Sequence, residues 1–213
     1  MAARRKSSIA PRKQPRQSRS QSLVDAILQA AIRVLTREGA RRFTTIRVAD
    51  EAGISIGSLY QYFPNKEAIL FKLQTNEWSA TGRLLEAIMA DGAMPPPARL
   101  RKLVRVFFES EREEAPFRVA LADAAPMYRD APETTAHRGE HSKQFSAFVA
   151  EALPTADRQQ RAFCADLIMT TIGAIGEKIS EQERSAANIE RVAAAVAEML
   201  CAYLESVNRA SRH

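Results

Sequence analysis

Apolar residues recur at spacings of three and four along nearly the whole chain, and this period is the strongest constraint on its fold. Leu23, Ile27, Val34 and Leu35 mark the first such stripe, and similar stripes follow up to residue 207. Sustained alternation with a period of two, which a half-buried strand requires, is rare. With 46% hydrophobic residues, the chain can bury a substantial core. We therefore expect an all-α protein without a sheet.

Positive charge is concentrated at the N-terminus. The chain has a formal net charge of +6, and residues 1–22 contain seven basic residues and no acidic one. This segment is rich in proline, serine and glutamine and cannot bury enough apolar surface to fold alone, so residues 1–21 are expected to form a disordered basic arm. The arm would bind polyanions, or it would serve only as a solubilising or added extension.

Cysteine usage and the length of apolar runs indicate the compartment. Cys164 and Cys201 lie in apolar helical segments, which is typical of buried thiols in a reducing environment. The longest apolar candidate for a membrane span, residues 167–176, is far shorter than the roughly 20 residues that a bilayer requires. No apolar stretch of the kind found in a secretory signal follows the basic N-terminus. We expect a cytoplasmic protein without a membrane partner.

The first ordered segment is predicted to contain three helices and the start of a fourth. Ser22 and Asp25 form an S-x-x-D capping pair for helix 1, which Gly39 ends. Helix 2 is expected over about 45–52, with Gly53 supplying a sharp turn through a positive φ. Ser55 then caps a short helix 3 over about 56–62. After Pro64, Asn65 caps a long helix 4 that continues to about residue 90.

Three consecutive prolines, residues 95–97, mark the start of a second structural unit. Helices are predicted at about 98–114, 116–124, 132–152, 156–180 and 185–208. The last two carry apolar bands too broad for one neighbour to cover, and Gly173, Ala174 and Gly176 would let another backbone come close. These two helices are expected to pair with their copies in a four-helix dimer interface. The alternative is burial within the bundle of a single chain.

Helices 2 and 3, joined by a glycine turn, have the dimensions of a helix-turn-helix that places one helix in a DNA major groove. Ser55 and Ser58 would then offer short hydrogen-bonding groups to base edges, and Ile56 would contact a thymine methyl. Tyr60 and Tyr62 are expected at the rim, with their hydroxyl groups reaching phosphate. Leu59 and Phe63 would point into the core. A small three-helix core with ordinary caps is the alternative interpretation.

Residues 27–70 resemble the TetR family of bacterial transcriptional regulators. The resemblance is carried by "FTT" at 43–45, "VADEAGIS" at 48–55, "GSLYQYF" at 57–63 and "KEAIL" at 66–70. Val48 stands where the family usually has isoleucine, a change that preserves packing. The resemblance implies a homodimer with a helix-turn-helix DNA-binding domain at residues 22–68. It also implies that residues 69–213 form a larger helical bundle for effector binding and dimerisation.

The resemblance also implies roles for individual residues. Contacts with DNA phosphates are implied for Thr44, Thr45, Tyr60, Tyr62 and Lys66. Positions close to the bases are implied for Arg47, Ser55, Ile56, Gly57, Ser58 and Gln61. The implied function is that of a ligand-responsive regulator, expected to be a repressor, which binds a near-palindromic operator as a dimer.

The resemblance further implies an apolar effector cavity, which aromatic and sulfur-containing side chains after helix 3 would line. The candidates are Trp78, Phe107, Phe117, Tyr128, Phe145 and Met169. Simple filling of the core is the favoured explanation for each of them taken individually. The effector itself is unknown, but it is expected to be a small molecule.

Other chemistries have weaker support in the sequence. "HRGEH" at 137–141 fits the H-x-x-E-H pattern of an inverted zinc protease, but Gly139 weakens the helix and no third ligand follows. Solvent-facing histidines are the favoured interpretation. Since no nucleophile elbow, phosphate loop or dinucleotide motif is present, we expect no enzymatic activity, no cofactor and no metal. The alternative function is a helical metal- or protein-binding module without sequence-specific DNA binding.

Overall fold

A computed structural model describes residues 18–129, 141–182 and 185–211. The α-helices, in chain order, are α1 (Ser18–Arg42), α2 (Thr45–Ala52), α3 (Ile56–Tyr60), α4 (Lys66–Met89), α5 (Pro96–Glu113), α6 (Ala115–Ala124), α7 (His141–Ala152), α8 (Arg158–Glu181) and α9 (Ala186–Ala210). A 3-10 turn at Ala125–Met127 follows α6. All regular elements in these three ranges are helical, which confirms the all-α prediction. None of the described helices is both long enough and apolar enough to cross a bilayer.

Helix α1 begins earlier than the sequence predicted. Ser18 starts the helix, so Ser22 lies inside it, and the last residues assigned to the basic arm are helical. The Gln21 amide donates a 2.9 Å hydrogen bond to Asp25, a pairing across one helical turn that supports this extension. At the other end, Gly39 breaks the helical path with φ 75°, as expected of the residue predicted to end helix 1.

The described residues form two compact units. The first contains the residues up to Trp78 together with those from Pro116 to Arg129, and the second contains the residues from Ser79 to Ala115 and from His141 onward. This division differs from the boundary predicted after residue 68, because α6 and the 3-10 turn pack with the N-terminal helices. Leu121, Ala124 and Tyr128 supply apolar contacts to that core, a long-range pairing that no local pattern indicated. The functional assignment of residues 69–213 stays a prediction.

The first unit has a continuous apolar core and a largely buried ion pair. The stripe of α1 is buried as predicted, and Phe43, Leu59 and Phe63 are also almost completely buried. Arg118 of α6 and Glu77 of α4 form a largely buried ion pair at 3.0 Å. The Tyr128 hydroxyl donates to Gln74 of α4 at 2.9 Å. Burial raises the pKa of Tyr128, with a further contribution from the Glu77 carboxylate, so the phenol stays neutral.

Helix α5 is the centre of the second unit. Its first turn uses the proline run, since Pro95 is the N-cap and a proline at the first helical position sacrifices no intrahelical hydrogen bond. Leu103, Val104 and Phe108 are buried against the neighbouring helices. Arg99 is also buried and hydrogen-bonds the Met89 carbonyl and the Glu151 carboxylate.

The broad apolar bands of α8 and α9 are covered mostly within the second unit. The buried members include Cys164, Ile168, Ile172, Ile179, Ile189, Val196, Leu200 and Leu204. Gly176, predicted to admit another backbone, instead lies against the Phe107 ring of the same unit. The alternative of burial within one chain therefore applies to most of both bands. Phe163, Leu167 and Met199 remain exposed.

Candidate nucleic-acid interface

Helix α2 begins at a threonine cap. Thr44 has an extended backbone, and its hydroxyl oxygen accepts the Arg47 backbone N–H at 3.3 Å. This bond satisfies one of the amides that have no partner within the helix. Val48 and Ala49 face the core, as predicted, while Thr44 itself is exposed. The cap therefore sets the start of α2 and leaves its N-terminal end open to solvent.

The turn between α2 and α3 depends on Gly53. This residue adopts φ 67° and ψ 32°, in the left-handed region that side chains disfavour. Its N–H bonds the Asp50 carbonyl at 3.1 Å, and the Ile54 N–H bonds the Ala49 carbonyl at 3.0 Å. These two bonds close the end of α2 in the manner of a Schellman motif. The predicted sharp stop after Ala52 is confirmed.

Helix α3 begins at a pair of serines. The Ser55 hydroxyl accepts the Ser58 backbone N–H at 3.1 Å, and the two hydroxyl oxygens lie 2.9 Å apart. Ser55, Ile56 and Gly57 are exposed, and Ser58 is half-buried. Helix α3 ends at Tyr60, two residues earlier than predicted, and the Tyr62 N–H bonds the Leu59 carbonyl three residues back, as in a 3-10 turn. The first turn of the helix is thus the part that is accessible to a large partner.

Two tyrosines that the sequence placed together at the rim have different environments. Tyr60 is 41% exposed, and its hydroxyl lies 3.1 Å from the Thr45 Oγ1. Tyr62 is only 6% exposed and belongs to the core of the first unit. The expected rim position of Tyr62 is therefore wrong, since the turn after α3 directs its ring inward. Gln61, between them, is exposed.

The start of α4 carries the last candidate contact. Asn65 caps the helix as predicted, its amide oxygen accepting the Ala68 N–H at 2.8 Å. Lys66 is the first residue of α4 and is half-buried. Glu67 shares this first turn, where the positive end of the helix dipole favours its negative charge.

Arg47 is part of a charged network between α1 and α2 that the sequence analysis missed. It bonds Glu38, which also accepts from Arg37 at 3.0 Å. Glu51 accepts from Arg33 at 2.7 Å and from Arg37 at 3.0 Å. These two hydrogen bonds, from Arg33 first and Arg37 second, hold the pKa of Glu51 below its usual value. The signal in the sequence was a spacing of four residues, which puts Arg33 and Arg37 on one face of α1 and puts Arg47 and Glu51 on one face of α2.

Ile46 is a second residue that the sequence analysis missed. It lies in the first turn of α2 and is 62% exposed, although its neighbours Val48 and Ala49 are buried. An isoleucine off the buried stripe, directly after two threonines, was the available signal. Its exposed surface adds an apolar group next to Thr45, which contacts the Tyr60 hydroxyl.

The effector-pocket candidates are divided between the two units. Trp78, Phe117 and Tyr128 belong to the first unit, and Phe107, Phe145 and Met169 belong to the second. Tyr128 and Phe145 are buried core residues, which is the alternative considered from the sequence. Met169 is 40% exposed and is not a core residue, and its contact with an effector stays a prediction.

Several predictions fall outside the described residues or concern metals. The arm up to residue 17 and His137 lie outside them, and so does the side chain of His141. Among the described residues, no group of three or more histidine, cysteine or acidic side chains is arranged to hold a metal ion. Cys164 and Cys201 are buried and unpaired with each other, as predicted for structural thiols.

Comparison with protein families identifies both parts of the chain. Residues 27–73 match the model described as bacterial regulatory proteins of the tetR family. Residues 95–207, more than half of the chain, match the model described as the tetracyclin repressor-like C-terminal domain. This chain belongs to the TetR family. Its N-terminal helix-turn-helix is therefore a DNA-binding domain, and the family consists of transcriptional regulators.

The chain is also similar to individual proteins over part of its length. Nucleoid occlusion factor SlmA of Aliivibrio fischeri is 37% identical over 67 residues, which is 29% of this chain and 34% of SlmA. The HTH-type transcriptional regulator YerO of Bacillus subtilis is 31% identical over 98 residues, or 46% of this chain and 34% of YerO. The chain thus matches about a third of the length of these relatives.

Solved structures share the TetR fold over most of the chain. A TetR-family regulator from Mesorhizobium loti has a TM-score of 0.68 at 19% identity and covers 88% of this chain and 98% of its own. FadR of Bacillus subtilis, in complex with stearoyl-CoA, has a TM-score of 0.66 at 17% identity and covers 83% and 97%. At these identities the likeness establishes the fold.

Proposed function

We propose that this TetR-family protein is a ligand-responsive repressor that binds a near-palindromic operator as a homodimer, with α3 in the major groove. The observation that carries the proposal is the exposed first turn of α3, residues 55–57, beside the linked hydroxyl groups of Thr45 and Tyr60. Ile56 and Tyr60, which are four residues apart, are both exposed, so α3 offers apolar surface next to its hydroxyl groups.

The first turn of α3 supplies the base-reading groups. Ser55 and Ser58 offer hydroxyl groups to base edges, and Ile56 offers an apolar surface to a thymine methyl. Gly57 has no side chain, so the backbone can come close to the DNA there. Gln61 is exposed after the end of the helix and would hydrogen-bond a base at the edge of the site.

The surrounding residues supply phosphate contacts that set the orientation of α3. Thr44, Thr45 and Tyr60 carry exposed or half-buried hydroxyl groups, and Lys66 adds a positive charge at the start of α4. Helix N-termini favour anions because their amides and dipoles are positive. Tyr62 is left out of this group because its ring is buried.

Dimerisation is assigned to the exposed apolar residues of α8 and α9. Phe163 and Leu167 lie one turn apart on α8, and Met199 lies on α9. In a two-fold symmetric dimer, these exposed residues would pack against the same residues of the second chain. Such a dimer would place two α3 helices in successive major grooves about 34 Å apart, which accounts for a near-palindromic operator.

Effector binding is assigned to residues 69–213. The candidates for ligand contact, each taken within its own unit, are Trp78 and Phe117 in the first unit and Phe107 and Met169 in the second. A ligand that favours the state with the wrong spacing between α3 helices would weaken operator binding by its differential affinity for the two states. The stearoyl-CoA complex of the FadR neighbour makes long-chain acyl-CoA the first effector class to test.

DNA recognition is tested by selecting bound fragments from genomic DNA and measuring affinity for the selected site and for random DNA by fluorescence anisotropy. Lys66→Ala is expected to weaken binding to both and to reduce the slope of log K against log salt by about one. Tyr60→Phe should weaken binding because it removes the hydroxyl of an exposed tyrosine, whereas the matched Tyr62→Phe should change binding less because Tyr62 is buried. Equal affinity of the wild type for selected and random DNA would overturn the proposal.

Dimerisation is tested by analytical ultracentrifugation. Phe163→Glu is expected to shift the protein towards monomer because it buries a charge in an apolar interface. Met169→Glu is the matched control on a different face of α8 and should leave the dimer intact. Dissociation by both variants, or by neither, would contradict the assigned interface.

The effector class is tested by titrating stearoyl-CoA into the complex of the protein with its selected DNA site. Release of DNA by stearoyl-CoA, but not by coenzyme A alone, would support an acyl thioester effector. Equal DNA affinity at all concentrations would exclude long-chain acyl-CoA while leaving the DNA-binding assignment intact.

A further inference from the structure

The charged network between α1 and α2 ends at a predicted DNA-contacting residue. Glu51 bonds Arg33 and Arg37, Glu38 bonds Arg37 and Arg47, and Arg37 therefore links the two carboxylates. Arg47 stands at one end of this chain of charges, with Glu38 as its carboxylate partner. It also lies in the first turn of α2, where its backbone N–H bonds the Thr44 cap.

In this network the carboxylate side chains are less exposed to solvent than the arginine side chains. The side chain of Glu38 is 15% exposed, whereas that of Arg47 is 50% exposed. Glu51 is likewise less exposed than Arg33 and Arg37. An approaching polyanion would therefore meet arginine first, with the neutralising carboxylate behind it.

A shielded carboxylate behind an exposed arginine has two physical effects. It neutralises the positive charge that would otherwise attract any phosphate, so sequence-independent affinity falls. It also holds the guanidinium in one orientation, which reduces the ordering required when Arg47 meets a base edge. Both effects raise the ratio of operator affinity to random-DNA affinity. The first lowers affinity for random DNA, and the second raises affinity for the operator.

We propose that Glu38 is a positioning residue that sets DNA specificity through Arg47. This inference rests on the proposed function, because it assumes that α2 and α3 face the operator. Glu38 keeps Arg47 from binding random phosphates, and the guanidinium makes its DNA contact only where a base edge is correctly placed. Glu51 holds Arg33 and Arg37 and has no bond to Arg47 among the described contacts, so it provides a control of equal charge.

The test uses Glu38→Gln in the full chain, with affinity for the selected operator and for random duplex measured over a salt series. The glutamine preserves shape and removes the charge. On random DNA, affinity is expected to rise on the order of fivefold at 0.1 M salt and the salt slope to steepen by about one, as one more arginine becomes able to bind phosphate. Operator affinity should change by less than about twofold, so the specificity ratio falls.

Arg47→Gln completes a double-mutant cycle. In the wild-type background it is expected to weaken operator binding and to leave the salt slope on random DNA unchanged, because Glu38 already neutralises Arg47. In the Glu38→Gln background it should return the slope on random DNA to the wild-type value. A structural defect alone would not produce this dependence on Arg47.

Glu51→Gln adds the same formal charge without releasing Arg47, and a smaller change in slope is expected. An equal change in slope for Glu38→Gln and Glu51→Gln would overturn the inference and indicate a general charge effect. The inference would also be overturned if Glu38→Gln steepened the slope in a protein that already carries Arg47→Gln. If the wild type itself does not prefer the operator, the proposed function fails. If it does prefer the operator and Glu38→Gln leaves slope and ratio unchanged, only the role of Glu38 is overturned.

Discussion

The helix-turn-helix segment, residues 44–65, and the second unit are stabilised in different ways. In the segment, each boundary is set within four residues, as when Thr44 accepts from Arg47 and Ser55 accepts from Ser58. In the second unit, the defining contacts join distant residues, such as Ser180 with the Glu111 backbone and carboxylate. Caps and turns therefore set where the short helices α2 and α3 begin and end, whereas the long helices of the second unit obtain their positions from partners far along the chain.

This comparison predicts that core truncation in the second unit has the largest effect. Phe108 is fully buried, and Phe108→Ala is expected to lower the free energy of unfolding by about 3–5 kcal/mol through lost burial and a cavity. Urea denaturation followed by circular dichroism measures the change. Met169→Ala, at an exposed position of the same unit, should stay within about 0.5 kcal/mol. A loss below about 1 kcal/mol for Phe108→Ala would show that the unit does not depend on this core.

Two glycines of α8 provide the next test. A Cβ on Gly176 would lie 2.7 Å from the Phe107 ring, so Gly176→Ala is expected to destabilise by about 1–3 kcal/mol through overpacking. Among the described residues, no atom outside the backbone of α8 itself lies within 4 Å of a Cβ on Gly173, and Gly173→Ala should stabilise by about 0.5–1 kcal/mol. Midpoints of urea denaturation for the two variants measure the contrast. Equal midpoints would contradict the conclusion that long-range contacts determine how α8 packs.

Within the helix-turn-helix, Gly53→Ala is expected to cost about 1–2 kcal/mol. The cause is the positive φ of 67°, because there is open space around the added methyl group. Gly57 is helical, and Gly57→Ala should instead be neutral or stabilising in a thermal melt. Under the proposed function it should still weaken operator binding, since the methyl group lies at the expected DNA face. A stabilised Gly53→Ala protein would contradict the role of the turn.

The smallest expected effect is the loss of a single cap. Thr44→Ala removes the acceptor for the Arg47 N–H and should destabilise by about 1 kcal/mol. Thr44→Ser keeps the hydroxyl and should restore most of that stability. Thermal unfolding of the pair measures the cap alone. If alanine and serine behave alike, the start of α2 depends on packing rather than on its cap.

Sequence reasoning predicted the local elements well and their long-range surroundings poorly. The capping roles of Ser55 and Asn65 and the turn at Gly53 were predicted correctly, because each depends on its immediate neighbours. Tyr62 was misplaced because α3 ends two residues early and its ring turns into the core. Composition also could not show that the α8 face carrying Met169 is exposed in this chain.

By itself, the amino-acid sequence determined the all-α class, the order of the helices and the helix-turn-helix motif of the TetR family. Periodicity, caps and glycine turns act over a few residues, so they can be read without knowing the fold. The tertiary structure decided that α6 packs with the N-terminal helices, that Tyr128 and Phe145 are core residues, and that Arg47 is paired with Glu38. These outcomes depend on which surfaces meet across long stretches of chain, and many pairings of similar apolar or charged faces satisfy the same local pattern.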